Sequence, residues 1–432
     1  MKLKELVVKN YKSLKDITFR PSDFSVIIGP NASGKSNFAN AISFLSEVYS
    51  YGLETAIRRK GGYENIVLKK IQKTKLPLEF SIALLVREDE FEKFLSFGDV
   101  SISIQMKGKS ENYFLVKHTF SLKIKQKEKK SNFVVNKELL EIYDYKDKVE
   151  KLILRISRNS INEITYEKYG NLKVLGNFEN VTSVMDKDKN NKLIIPVKSQ
   201  ELVVNSFFLK SITTLPNHVA KWAIYQFSSS KARLSGVPTP NPEISEYGDN
   251  LPALVDWLKT NHLEAWKKIF NAMKLLIPGL NEITTGYLHN KTLGLFFHEE
   301  KFGNPWISDE VSDGTILVLS ILCSIWDPRK SLILIEEPEN SLHPYILREL
   351  IRNFKEISLT KTIIITTHSP ILLDMVHPTE IWCISKVKQI SILTRLVDLA
   401  KELEAQWLEG EYRISEYLDS NLIPSINPGG IN

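Results

Sequence analysis

The first fifty residues change from a strand-like to a helix-like pattern of hydrophobic positions. LKELVVKN (3–10) and ITFRPSDFSVIIG (17–29) place short aliphatic runs in the two-residue rhythm of β-strands. A glycine-bearing loop follows, and KSNFANAISFLSEVYSYGL (35–53) then repeats its apolar residues every three to four positions. The pattern predicts a strand, a turn, a second strand, a loop and a helix, in that order.

From about residue 79 to residue 180, short alternating runs are rich in valine, isoleucine and aromatic residues. This pattern predicts an antiparallel sheet. The runs are EFSIALLV, VSISIQM, NYFLVKHTFSLKIK, NFVVNK, KLILRISR and ITYEKY.

The period becomes helical from about residue 200 to residue 285, in SFFLKSITTL, HVAKWAIYQF and LPALVDWLKTNHLEAWKKIFNAMKLLI. Beyond residue 291, two almost continuously apolar strands, SLILIEE and KTIIITTHS, alternate with the helical runs ILVLSILCSIW and PYILRELIRNF. Strands of this kind are typical of a parallel sheet covered on both faces. The sequence therefore predicts an α/β protein.

Composition narrows the class of protein only slightly. Of the 432 residues, 43% are hydrophobic and 25% are charged, which is typical of a globular protein. The longest apolar runs fall short of the ~18 residues of a membrane helix, and the amino terminus has no signal core. We therefore expect a cytoplasmic protein without a membrane partner. The two cysteines, Cys323 and Cys383, are too few for a disulfide framework.

The segment GPNASGKSN (29–37) has the spacing of a phosphate-binding P-loop between a predicted strand and a predicted helix. Gly29 and Gly34 permit a tight turn whose backbone N–H groups point inward, while the helix presents its positive end. In such a loop Lys35 reaches the β- and γ-phosphates and the Ser36 hydroxyl binds Mg²⁺. The alternative is a helix-capping loop.

A second acidic motif, LILIEEPEN (332–340), follows a buried strand. Glu336 is placed to hold the Mg²⁺ shell, and Glu337 to accept a proton from an attacking water. The alternative is that both carboxylates cap the helix that begins after Pro338.

Two further positions fit the same chemistry. His368 follows a buried strand, and a side chain at the carboxyl end of a parallel strand lies where ligands bind in such sheets. VSDGT (311–315) offers Ser312 and a bare backbone at Gly314 at a helix start, a second candidate anion site. A structural histidine and a serine N-cap are the respective alternatives.

These four segments together resemble the ABC-type ATPase heads of the SMC/RecF/OLD group, in the branch labelled AAA_21 or AAA_15. GPNASGKSN is similar to their Walker A motif, VSDGT to their signature, LILIEEPENSLHP to Walker B with the D-loop, and IIITTHSP to the switch-histidine strand. The resemblance implies a P-loop NTPase fold with a mixed sheet flanked by helices, an antiparallel β lobe and a helical insertion.

The resemblance also implies a site shared by two subunits, with ATP and Mg²⁺ as cofactors. Lys35, Glu337 and His368 are the implied catalytic residues, and Ser36 and Glu336 hold the metal. A homodimer or a larger even-numbered oligomer follows, because the signature residues close over the partner's nucleotide. The implied nucleotide contacts are Asn31, Ala32, Ser33, Gly34, Lys35, Ser36 and Asn37 in cis, with Ser312 and Gly314 in trans.

The predicted organisation is a head interrupted by two insertions. Its segments are 1–90 (first half of the head), 91–195 (antiparallel β insertion), 196–290 (helical insertion), 291–395 (second half of the head) and 396–432 (tail).

The resemblance predicts a sensor or switch ATPase that controls a separately encoded effector, a Toprim or HNH nuclease, in prokaryotic anti-phage defence. The 64 residues after His368 carry no recognisable nuclease motif. A Q-loop glutamine is not placed, and Gln72 is a candidate only. The alternatives are a RecF-like DNA repair ATPase and a weakly hydrolysing, ATP-gated scaffold.

Nucleic acid is a further candidate partner. Residues 58–75 hold seven basic side chains against the single acid Glu64, and the alternative is a solvated lysine-rich surface. The basic residues are Arg58, Arg59, Lys60, Lys69, Lys70, Lys73 and Lys75.

Overall fold

The computed structural model divides the chain into two compact units. Unit 1 contains residues 1–21, 32–222 and 385–393, and unit 2 contains residues 22–31, 223–384 and 394–432. The structure describes residues 1–68, 76–87, 113–124, 133–158, 163–169, 192–194, 197–205, 215–300, 303–410 and 412–419.

Strands and helices are numbered in chain order. The strands are β1 (Lys2–Tyr11), β2 (Leu14–Phe19), β3 (Phe24–Ile28), β4 (Leu78–Arg87), β5 (Tyr113–Ile124), β6 (Phe133–Lys146), β7 (Val149–Arg158), β8 (Glu163–Lys168), β9 (Lys192–Ile194), β10 (Trp222–Tyr225), β11 (Leu280–Tyr287), β12 (Leu293–Glu299), β13 (Trp306–Ile307), β14 (Leu332–Glu336), β15 (Thr362–Thr366), β16 (Ile381–Val387) and β17 (Ile390–Arg395). The helices are α1 (Lys35–Tyr51), α2 (Leu53–Arg59), α3 (Tyr63–Ile66), α4 (Leu215–Val219), α5 (Ser229–Ala232), α6 (Leu251–Asn261), α7 (Leu263–Leu276), α8 (Asp313–Trp326), α9 (Pro344–Ser358), α10 (Pro370–Leu373), α11 (Leu396–Leu399), α12 (Leu403–Leu408) and α13 (Ile414–Asp419).

Unit 1 is built on an antiparallel sheet with the strand order β2-β1-β4-β5-β6-β7-β8-β9. The antiparallel sheet that the sequence predicts between about residues 79 and 180 is present in β4 to β8, whose neighbouring strands pair antiparallel. The predicted strand VSISIQM lies outside the described residues. Helix α1 packs on this sheet through aromatic rings, because Phe44 lies 5.7 Å from Tyr11 and 5.4 Å from Phe80 between ring centroids.

Unit 2 holds strands in the order β10-β14-β15-β3-β16, in which β14 and β15, β15 and β3, and β16 and β3 pair in parallel. The runs of β3 and β15 are buried along their whole length, as parallel strands covered on both faces require. Apolar residues from the strands and from the helices between them share one core, in which the rings of Phe24 and Phe354 stack at 6.0 Å. A separate small sheet contains β11, β12 and β13. The α/β class predicted from the sequence is confirmed.

Two local predictions are wrong. The strand predicted over residues 17–29 is two strands, since β2 ends before Pro21 and β3 starts after it. Proline supplies no N–H to a strand ladder, which favours a break between the two strands at this point. The helical run HVAKWAIYQF instead contains the strand β10, whose aromatic and β-branched residues favour a sheet.

The long helical run over residues 251–277 is divided in two. Helices α6 and α7 meet at His262, whose backbone lies at φ −138° and ψ 59°, outside the helical region. In the described part of the chain, no helix is both long and apolar enough to cross a membrane.

Lys361 closes the end of helix α8. Its ammonium, with the residue only 6% exposed, donates hydrogen bonds to the carbonyl oxygens of Ile325 (3.0 Å) and Asp327 (2.7 Å). These are carbonyl groups that the end of a helix leaves without a partner inside the helix. Burial lowers the pKa of Lys361 from 10.5 to about 8.

This shift predicts a stability that rises with pH. Above the folded-state pKa, the unfolded chain binds more protons at Lys361 than the folded chain does, so raising the pH favours folding until the unfolded-state pKa is reached. The free energy of unfolding of the wild type, minus that of Lys361→Met, should increase by about 1.5 kcal/mol between pH 8 and pH 9.5. Urea titrations at both pH values measure it.

The control is Lys355→Met, which removes a lysine side chain that is 41% exposed. Its difference from the wild type should change less over the same range. A wild-type minus Lys361→Met difference that stays flat would show that Lys361 keeps its proton in the folded state.

Candidate functional site

The loop between β3 and α1 leads into a helix start without a side-chain cap among the described residues. Ala32 and Gly34 both have positive φ, 61° and 122°, which turns the chain sharply into α1 at Lys35. Among the described residues, none provides a side-chain cap for this helix, and its first turn contains no acid. The first N–H groups of a helix have no partner inside the helix, and together with the helix dipole they favour an anion.

A chain of hydrogen bonds in unit 1 supports this loop from the side. The Asn37 amide donates to Ser13 Oγ (2.7 Å), the Ser13 and Ser391 hydroxyls bond at 2.8 Å, and Ser391 Oγ donates to the carbonyl oxygen of Ser33 (2.6 Å). Ser391 is 1% exposed, and its backbone N–H donates to the carbonyl of Ser13 at 2.9 Å. The loop is therefore fixed by residues from both ends of the sequence.

Sequence reasoning missed Ser13 and Ser391. They are 378 positions apart, and a serine between apolar residues in a strand is too common to mark a site. The one signal was that Ser391 breaks the apolar run of ISIL (390–393).

The donors of this loop fit a polyphosphate with its metal ion. Ser33 Oγ is buried and makes no hydrogen bond to any described part of the chain, so it is available to a ligand. Lys35, which is 7% exposed, and Ser36 stand at the first two positions of α1. An ammonium and helix N–H groups can donate hydrogen bonds to phosphate oxygens, and a hydroxyl oxygen can bind Mg²⁺.

Unit 2 gathers the acidic residues and the histidine at one sheet edge. Glu336 pairs in register with Thr366 of β15, and Thr366 pairs with Ile27 of β3. Because the strands are parallel and in register, residues that follow them leave the sheet at the same edge. The residues that leave the sheet at this edge are Glu337, His368 and residues 29–31 at the start of the loop.

The two candidate catalytic side chains are neighbours. His368 Nε2 lies 3.9 Å from Glu337 Oε1, with the side chains 40% and 37% exposed. The Asn340 amide donates to Glu337 Oε2 at 3.1 Å, which orients the carboxylate. Glu337 itself has φ 49°, an uncommon conformation for a residue other than glycine.

Ser312 caps helix α8. Its Oγ accepts a hydrogen bond from the Thr315 N–H (3.1 Å), and it also bonds the Thr315 hydroxyl at 2.8 Å. The capping role considered as an alternative is therefore present. A Cβ on Gly314 would lie 3.4 Å from the carbonyl oxygen of Ser341, so the helix start lies against the predicted D-loop.

Arg233 holds the loop before Ser312 and was also missed. Its guanidinium donates to Asp313 Oδ1 (2.7 Å) and to the carbonyls of Val311 (2.8 Å) and Ser308. The hydrogen bond from Arg233 lowers the pKa of Asp313. A lone arginine 80 positions away along the chain gives no sequence signal of this role.

The described members of the basic run have partners of their own. Arg58 pairs with Glu54 at 2.5 Å, Lys60 pairs with Glu47 at 2.8 Å, and Arg59 lies over an aromatic ring. The other members, with the candidate Q-loop residue, lie outside the described residues: Lys69, Lys70, Lys73, Lys75 and Gln72.

A protein-family comparison matches residues 24–374 to AAA_21, described as "AAA domain, putative AbiEii toxin, Type IV TA system". The chain belongs to the AAA_21 family. The match spans β3, the P-loop, the signature segment, the acidic motif and His368. The resemblance predicted from the four motifs is confirmed at the level of the family.

This AAA_21 protein is also similar to proteins of chromosome structure. The structural maintenance of chromosomes protein 1 of Saccharomyces cerevisiae is 42% identical over 65 residues, which are 14% of this chain and 5% of that protein. The chain thus matches only a small part of that relative.

Three of the solved structures that a structural comparison matches to this chain are SMC heads. An SmcHead bound to the C-winged helix domain of ScpA shows 13% identity and a TM-score of 0.48, over 91% of this chain and 98% of the other. The SMC head domain from Thermotoga maritima shows 12% identity and a TM-score of 0.38, over 91% of this chain and 99% of the other. The Pyrococcus furiosus Smc head bound to the C-terminal domain of ScpA shows 11% identity and a TM-score of 0.39, over 95% of this chain and 99% of the other.

Gly34 provides a test of the loop. A Cβ there would lie 2.2 Å from Ser391 Oγ, and the φ of 122° disfavours any side chain. Gly34→Ala should therefore weaken binding of a fluorescent ATP analogue at least about tenfold, because the loop must move to relieve the overlap.

Gly52→Ala is the matched control, since Gly52 also has positive φ (86°) but no atom within 4 Å of its Cβ position. It should lose some thermal stability and keep its nucleotide affinity. Adding Ser391→Ala to Gly34→Ala should restore part of the affinity. Wild-type affinity in Gly34→Ala would mean that the close approach to Ser391 does not shape the site.

Proposed function

We propose that this AAA_21 protein is a Mg²⁺-dependent ATPase that dimerises around ATP. The observation that carries the proposal is the in-register pairing of β14, β15 and β3, which brings Glu337, His368 and the start of the P-loop to one sheet edge. Membership of the AAA_21 family supports the same function.

The residues of the P-loop bind and orient the triphosphate. Lys35, the Ser33 hydroxyl and the N–H groups at the start of α1 provide positive charge and hydrogen-bond donors to the phosphate oxygens. Ser36 and Glu336 would hold the Mg²⁺, which neutralises charge on the phosphates when it is bound.

Glu337 is the general base in this proposal. It takes a proton from a water molecule as the water oxygen bonds to the γ-phosphorus and the bond to the ADP oxygen breaks. The hydrogen bond from Asn340 aims the carboxylate, and the neighbouring His368 can donate a hydrogen bond to a phosphate oxygen. Positioning of this kind supplies most of the catalysis in phosphoryl transfer.

The position of the signature segment supports the proposed dimer. Ser312 lies at an exposed start of α8, a 14-residue helix whose N-terminus is suited to an anion. In the proposed dimer, Ser312 and Gly314 contact the γ-phosphate bound by the partner copy.

The finer proposal is a switch subunit. The description of the AAA_21 family names a putative AbiEii toxin and a Type IV TA system, and we propose that this chain is the ATPase that controls a separately encoded effector in anti-phage defence. ATP-dependent dimerisation would give such a switch its two states.

Glu337→Gln should separate binding from hydrolysis. Glutamine keeps the size and a hydrogen-bond acceptor but is no base, so ATP turnover should fall by about 10² or more while ATP remains bound. Phosphate release and nucleotide retention on a filter measure the two effects.

Lys35→Ala should instead lose nucleotide binding. The control Glu356→Gln changes an exposed carboxylate paired with Lys268 and should behave as wild type. Turnover that survives in Glu337→Gln would remove Glu337 as the base.

Ser312→Asp should test the dimer. Aspartate is also a good N-cap, so α8 should keep its stability, but its charge would repel a γ-phosphate presented by the partner. The variant should bind ATP within about threefold of wild-type affinity and fail to dimerise with ATP in light scattering. Normal ATP-dependent dimers of Ser312→Asp would contradict the role in trans.

A further inference from the structure

Glu339 joins the two loops that carry the candidate catalytic pair. It stands two residues after Glu337, in the loop that follows β14. Its Oε1 accepts hydrogen bonds from the Thr367 hydroxyl (2.6 Å) and from the backbone N–H of His368 (2.9 Å), in the loop that follows β15. A single carboxylate oxygen therefore ties one loop to the other beside His368.

The loop of Glu339 is itself tightly folded. The Glu337 N–H donates to the carbonyl of Thr366 (2.9 Å), and the Leu342 N–H donates to the carbonyl of Glu339 (3.0 Å). Ser341 turns the chain with a φ of 63°. The distance from Glu339 to Glu337 is thereby fixed by the backbone, so the bonds from Glu339 to the second loop also fix the distance between Glu337 and His368.

In the second loop, the residues on both sides of His368 are also held by hydrogen bonds. Thr367 Oγ1, which donates to Glu339, accepts the Ser369 N–H at 2.9 Å. Ser369 in turn caps α10 through the Leu372 N–H at 3.4 Å. The residues before and after His368 are therefore held in one hydrogen-bond network that ends on Glu339.

The second oxygen of Glu339 argues against a role in stability alone. Oε2 is buried and makes no hydrogen bond within the part of the chain that the structure describes. A buried carboxylate oxygen without a hydrogen-bond partner lowers the stability of the folded state, and such unsatisfied polar groups concentrate at functional sites.

We propose that Glu339 is a positioning residue that holds the His368 imidazole against Glu337. The proposal rests on the proposed function, since it assigns Glu339 to the same hydrolytic site. Glu339 acts through His368 and Glu337 and takes no proton from the water itself.

The kinetic test compares alanine and glutamine at position 339. Glu339→Ala removes both hydrogen bonds and should lower kcat at least about tenfold with little change in KM, because the site binds ATP but loses its geometry. Glu339→Gln keeps an oxygen acceptor and should stay within about threefold of wild type. The matched control is Asp374→Ala, which also removes a carboxylate bonded to a backbone N–H and a hydroxyl, both of Ser415 at 2.9 Å. It should leave kcat unchanged.

A double-mutant cycle separates positioning from a general loss of structure. If Glu339 works through His368, then Glu339→Ala should add less than about twofold to the loss already caused by His368→Ala. Independent, multiplying losses would overturn the proposal. So would a Glu339→Gln enzyme as slow as Glu339→Ala, since a carboxylate charge rather than the hydrogen bonds would then be required.

Amide hydrogen exchange provides a second measurement that does not depend on hydrolysis. Peptides that cover residues 362–373 should take up deuterium faster in Glu339→Ala than in the wild type, Glu339→Gln or Asp374→Ala, because the His368 N–H loses its acceptor. Unchanged exchange would overturn the bridge even in an active ATPase. Faster exchange in a protein that hydrolyses no ATP would support the bridge and refute the proposed function instead.

Discussion

The in-register pairing of β3, β14 and β15 is the constraint on which the candidate site depends. Each strand supplies five residues, and those of β3 and β15 are entirely buried. Such strands cannot hold a charged side chain without a large desolvation penalty, so the charged groups stand where the strands end. Parallel pairing then brings three such ends to one edge, which is how short apolar runs far apart in sequence create a common position for an acid, a histidine and a phosphate loop.

Helix α1 is likewise held by apolar packing along its middle and by hydrogen bonds at its two ends. Its middle packs against the sheet of unit 1 through aromatic rings. Its first turn is joined through Asn37 to the hydrogen-bonded hydroxyls of Ser13 and Ser391. At its far end the buried Tyr49 hydroxyl bonds His118 Nδ1 at 2.5 Å, and His118 Nε2 lies 3.2 Å from Glu138 Oε1. Burial raises the pKa of Tyr49 well above its usual range. Buried polar groups that are bonded in this way specify one position of a helix, whereas apolar packing alone tolerates small shifts.

The sequence predicts the parts of the site that depend on short segments and misses those that depend on distant ones. The P-loop, the paired carboxylates and His368 each follow a local pattern, because strand, loop and helix are adjacent in the chain. Ser391 and Arg233 act on loops that are hundreds or tens of positions away, and their residue types carry no signal of it. Strand β10 was predicted as helix because its four residues fit either period in isolation, and only pairing in the sheet decides between them.

The conformation of Glu337 shows what this arrangement requires locally. A residue with a side chain at φ 49° is strained by about 1 kcal/mol, which glycine would avoid. Other described residues with positive φ, such as Asp147 and Lys148, lie in the turn of a β-hairpin, where such angles are expected. Glu337 instead follows a parallel strand directly, and its N–H is held by the carbonyl of Thr366 at 2.9 Å. Glycine would relieve the strain but would remove the carboxylate, so the strain at this position is the consequence of placing an acid where the backbone turns away from the sheet.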